Sequence, residues 1–156
     1  MPFYTLSDDA DSVWKNGVDF AKPMQEGAEA VDCRLAYFAM GDPDDERTPV
    51  AAVLRMPPHH VLPRHAHPAA RFEVLVQGTL DIGDRVLNPG DVMVTQANEM
   101  YGPHTAGPDG CTTVEIHGAK AGAGRAIYET EEGRRFVDYR PNDPMPEHPA
   151  WKHSRD

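Results

Sequence analysis

The punctuation of this chain limits its fold more than any other feature. From Val31 onward, short strand-like runs alternate with turn residues, drawn from 15 prolines and 13 glycines spread along 156 residues. Val31 to Met40 alternates, with Val31, Cys33, Leu35 and Tyr37 on one face, and the acidic turn 41–47 follows. Thr48 to Met56 is an almost continuous apolar strand that Pro57 and Pro58 stop. Further runs begin at Phe72, Thr79, Arg85, Val92 and Cys111. Gly78, Gly83-Asp84, Asn88-Pro-Gly-Asp91, Ala97-Asn-Glu and Gly107-Pro-Asp-Gly110 read as the turns between them. Many short strands at close spacing predict an all-β sandwich or barrel and argue against long helices.

The flanks read differently. Residues 1–30 are polar without a steady period, with Trp14, Val18 and Phe20 as one short anchoring segment. Residues 119–124 are small, and 125–140 are charged with Ile127, Tyr128, Phe136, Val137 and Tyr139 as docking points. Pro141 to Asp156 reads as an extended arm. The whole of 1–156 is expected to be one domain, with a barrel core at about 31–118 and a C-terminal arm at about 119–156.

Charge excludes some partners. The 25 acidic against 15 basic residues give a net charge of -10, which disfavours nucleic acid and anionic membranes. No apolar run approaches the roughly 20 residues of a membrane span. The N-terminus has neither a basic region nor an apolar core, so no signal peptide is expected and a cytoplasmic location is. Cys33 and Cys111 read as two buried free thiols. No nucleophile elbow, Cys-His motif or glycine-rich phosphate loop is present.

Potential ligands concentrate in Pro63 to Gly78. His65 and His67 stand two apart, so on a strand both imidazoles leave one face. After three intervening residues comes Arg71, and six more separate it from Gly78. Farther on, Pro89-Gly90-Asp91 precedes Tyr101, the eleventh residue after Gly90, and His104. Across residues 50–117 this resembles the cupin superfamily. Its first motif is His-x-His, three or four residues, Glu, six residues and Gly; its second is a Pro-Gly turn with His about eleven residues on. Here Arg71 stands where the motif has Glu, and Tyr101 where it has the third His.

The resemblance implies a double-stranded β-helix, the cupin jelly-roll barrel, with extended N- and C-terminal arms. It also implies a divalent transition metal, Fe, Mn, Ni or Zn, inside it. Three readings of the site follow. In the first, His65 and His67 bind the metal, Glu73 shares the inward strand face of Arg71 and supplies the carboxylate, and His104 joins if the chain bulges after Tyr101. The chain would then be a metal-dependent oxygenase or related oxidoreductase acting on a small organic molecule, with Tyr101 and Arg71 as catalytic groups. In the second, Arg71 replaces the metal's charge and the barrel binds or senses a small anion without catalysis, with Tyr101 offering a hydroxyl. In the third, the site is lost and the histidines only make hydrogen bonds. His59 and His60 read as solvated loop residues, and the polar face of Glu115 and His117 as solvent. Exposed sheet edges suggest a homodimer that exchanges N-terminal strands.

Overall fold

The computed structural model describes residues 1–18 and 20–140. The expected arm from Pro141 onward, with His148 and His153, lies outside the described residues. Among the described residues the fold is a jelly roll of two antiparallel sheets. The larger has seven strands, with β1 (Arg34–Ala39), β2 (Val50–Met56), β8 (His104–His117), β5 (Arg71–Asp81) and β6 (Val86–Leu87) in that order. β3 (Val61–Leu62) pairs with β8, and β7 (Val92–Thr95) with β5. The smaller sheet runs β10 (Gly133–Asp138), β9 (Arg125–Thr130), β4 (His65–Ala66). Among the described residues no helix is long and apolar enough to cross a membrane.

Strand alternation does most of the sorting. In β5, Arg71, Glu73 and Leu75 are buried, whereas Phe72 is 43% exposed. In β8, Cys111, Thr113, Glu115 and His117 turn inward, and Ile116 turns out. The interior holds two apolar clusters. One gathers Met24, Tyr37, Val50, Tyr128, Val137 and Tyr139; the other gathers Leu54, Met56, Leu75, Leu80 and Cys111. Leu35 packs against both. Cys33 and Cys111 are buried free thiols, as expected.

Three expectations change. Gly78 and Gly107-Pro-Asp-Gly110 are not turns, because β5 and β8 run through them as single long strands. The β5–β8 register shifts between Leu75 and Gln77 and again between Gly78 and Leu80, so these residues form bulges that bend the sheet. Residues 119–140 are not an arm. They form α3 (Lys120–Ala123) and the β9–β10 hairpin, which the charged sequence concealed because that hairpin buries mainly Ala126, Tyr128 and Val137. Nor is the N-terminal stretch extended. It contains α1 (Val13–Asn16) and α2 (Lys22–Glu29) and folds onto its own chain. The Arg34 and Arg55 guanidiniums lie 4.7 and 4.8 Å from the Trp14 ring.

Candidate functional site

The site lies where the two sheets face each other, and each ligand-type side chain is aimed by a strand. β4 carries His65 and pairs with β9, so Tyr128 lies opposite His65. β5 and β8 lie side by side with Arg71 opposite His117 and Glu73 opposite Glu115. Two carboxylates opposed across a ladder repel each other. Arg71 reaches between them: its Nη1 donates to Glu115 Oε2 at 2.9 Å, and Nη2 lies 2.7 Å from Glu73 Oε2. The second approach is off-axis, so it is a charge contact more than a hydrogen bond. The guanidinium also sits 4.0 Å above the centre of the Tyr101 ring.

Neighbouring backbone groups fix the histidines. His65 Nδ1–H donates to the Pro63 carbonyl at 2.7 Å, leaving Nε2 to accept the Tyr101 hydroxyl proton at 2.7 Å. His67 Nδ1–H donates to the Arg125 carbonyl at 2.6 Å, so its Nε2 carries a lone pair. His117 Nε2 lies 3.4 Å from Glu115 Oε2, and its buried Nδ1 has no partner. Rings of His65 and His67 are 5.1 Å apart, and those of His67 and His117 are 4.9 Å apart.

Burial sets the charge states. It pushes His65 and His104 down to about 4, with Arg71 adding to the effect, and holds His67 well below the ordinary imidazole range. Burial drives Glu73 up to about 7, against the pull of Arg71. It opposes ionisation of Glu115 too, but Arg71 and then His117 overcome it and hold that carboxyl well below the usual carboxylate range. Tyr101 is pushed well above the usual phenol range, so it remains a donor.

All six expected site residues are thus brought inside: His65, His67, Arg71, Glu73, Tyr101 and His104. The chain does redirect after Tyr101, where Gly102 has φ +84°, so that Tyr101 and His104 both face inward with rings 5.5 Å apart. Glu115, His117 and His60 are buried and correct the solvent reading. For Glu115 and His117 the available signal was the alternation itself, which states a polar face without saying which way it points.

These residues do not fit the expected metal. The one free lone pair of His65 is taken by Tyr101, and the Glu73 carboxylate by Arg71. Among the described residues no three His, Cys, Asp or Glu side chains are arranged to hold an ion. The anion expectation also loses its anchor, because both terminal nitrogens of Arg71 already face carboxylates. What remains is a cavity of about 50 Å³, walled on its polar side by His65, His67, Arg71, Glu115 and His117 and elsewhere by apolar groups such as Leu54 and Leu62.

No family model matches the chain, and no curated protein does. Solved structures do. An RmlC-like cupin protein from Ralstonia eutropha JMP134 is similar over 69% of this chain and 68% of its own, with 20% identity and a TM-score of 0.50. An acetylacetone dioxygenase from Acinetobacter johnsonii aligns over 67% of this chain and 71% of its own, with 10% identity and a TM-score of 0.49. The Bacillus subtilis oxalate decarboxylase, described with Mn(II) centres, aligns over 56% of this chain and 25% of its own, with 15% identity and a TM-score of 0.44. The likeness to the first establishes the cupin fold and nothing finer.

Proposed function

We propose that this cupin-fold chain is a small-molecule-binding barrel that works without a metal ion. The observation that carries the reading is the position of Arg71, fixed between Glu73 and Glu115 over the Tyr101 ring. A divalent cation beside that guanidinium would meet strong repulsion at low dielectric and find the carboxylates engaged. The cavity remains a binding space because His67 Nε2 and His117 Nδ1 have no protein partner there. The two substituted positions therefore act together: Tyr101 closes His65, and Arg71 supplies the charge. The oxygenase expectation depends on the metal, and it stands or falls with the same experiment.

That experiment is elemental analysis after incubation with Fe(II), Mn(II), Ni(II) and Zn(II) and removal of free ion. Less than about a tenth of an equivalent is expected. A full equivalent that disappears in the His65→Ala, His67→Ala variant would overturn the proposal.

The same proposal includes a cytoplasmic homodimer. Two buried free thiols suit a reducing compartment. The outer sheet face carries an in-register row of Val94, Phe72 and Ile116, each more than a third exposed. Thr5 bridges Ser12 and Val18 bridges Tyr37 within one chain, and the dimer is assigned to the outer face rather than to exchanged N-terminal strands. A clean monomer in size-exclusion with light scattering would remove the dimer from the proposal.

A further inference from the structure

The polar wall of the cavity states which chemistry it is missing. His67 Nε2 is an acceptor, because Nδ1–H is committed to the Arg125 carbonyl. His117, 2% exposed, turns Nε2 toward Glu115 and leaves Nδ1 without a partner. Arg71, 3% exposed, has an Nε–H donor without a partner. All three residues line one cavity, and the groups that complete its wall are largely apolar, Leu35, Leu54 and Leu62 among them. Buried polar atoms left unpaired are costly, so an occupant that satisfies them binds preferentially.

Size and charge narrow the occupant. A volume of about 50 Å³, at roughly 10–15 Å³ per water-sized group, admits three to five non-hydrogen atoms. An anion would find Arg71 already facing two carboxylates. A cation would have to compete with Arg71 for Glu115. An uncharged group with both a donor and an acceptor meets neither obstacle.

The geometry points to a small primary carboxamide as the ligand, its NH2 donating to His67 and His117 and its carbonyl accepting from Arg71. Its short alkyl end would lie against the leucines. This inference rests on the metal-independent reading above, since a metal on the same imidazoles would remove the acceptors.

Ligand-observed NMR on the full chain, with propionamide and its shape-matched relatives propionate and propylammonium, tests it. Propionamide should show saturable binding in the millimolar range, as befits so few atoms, and the two ions should show none. His67→Phe should abolish the signal. Ala52→Leu fills the cavity from its apolar side without replacing either imidazole, and keeps the test valid if the first variant fails to fold. The inference is overturned if propionamide gives no signal, if its signal survives Ala52→Leu, or if either ion binds better. Failure of the ligand class is separable from failure of the metal-independent reading. A metal-free protein that takes propylammonium sinks only the carboxamide, whereas a stoichiometric metal sinks both.

Discussion

At the scale of single residues, Arg71 is the side chain on which the interior depends. It is buried with Glu73 and Glu115, and removing it would leave two opposed carboxylates without a cation. Arg71→Met is therefore expected to cost about 3–5 kcal/mol in urea unfolding, because a broken buried pair leaves uncompensated charge. A loss below about 1 kcal/mol would show that the cluster relaxes by taking up a proton instead. The two departures from the metal motif contact each other, Arg71 lying over Tyr101. Replacing both, Arg71→Glu with Tyr101→His, frees His65 and supplies a carboxylate and a third imidazole. The double variant should retain close to one equivalent of Zn(II) or Ni(II), against the less than about a tenth expected of the natural chain, measured by elemental analysis. If it stays metal-free, those two residues are not what excludes the ion.

At the scale of elements, the site depends on how β5 and β8 bend together. Gly78 and Gly110 both have positive φ, +72° and +73°. A Cβ on Gly78 would lie 2.0 Å from the Gly110 carbonyl oxygen, and one on Gly110 would lie 2.5 Å from that of Met56. Gly78→Ala should therefore destabilise by about 2 kcal/mol or more, through strain and a backbone clash. Gly83 also has positive φ but faces open space, so Gly83→Ala should cost only about 1 kcal/mol. Equal losses in thermal unfolding would argue against the close crossing. These glycines read as turns in the sequence because a bulge and a turn call for the same residue. Which one forms depends on what pairs across the strand, and Gly78 pairs with Cys111, far along the chain.

At the scale of the whole molecule, three buried imidazoles make the fold sensitive to acid. In the unfolded chain each titrates near 6.5, whereas in the fold His65 and His104 do so near 4 and burial holds His67 well below its ordinary range. The unfolded state thus binds more protons below about 6.5, and stability falls as pH drops through 6.5 toward 4. Glu73 acts in the opposite sense, its folded carboxyl titrating near 7 against an ordinary 4.5, so its protonation favours the fold on acidification. Three groups outweigh one, and the urea midpoint is expected to be lower at pH 5 than at pH 7.5. In Glu73→Gln the drop should steepen, since the opposing group is gone. A midpoint that rises on acidification would show that the histidines are not held neutral.

The sequence by itself determined the strand-rich fold and the inward set His65, His67, Arg71 and Glu73. Period-two alternation is a local property, and one buried face is enough to fix it. It also showed that Glu and His were missing from the metal motif at positions 71 and 101. Only the tertiary structure decided what took their place. Glu115 and His117 lie more than forty residues beyond Arg71 along the chain, and their face became interior only when β8 paired with β5. The second sheet was settled the same way, since β9 finds its partner in β4, the two-residue strand that carries His65. Side-chain parity can be read along one strand, but the partner that gives a face its meaning comes from long-range pairing.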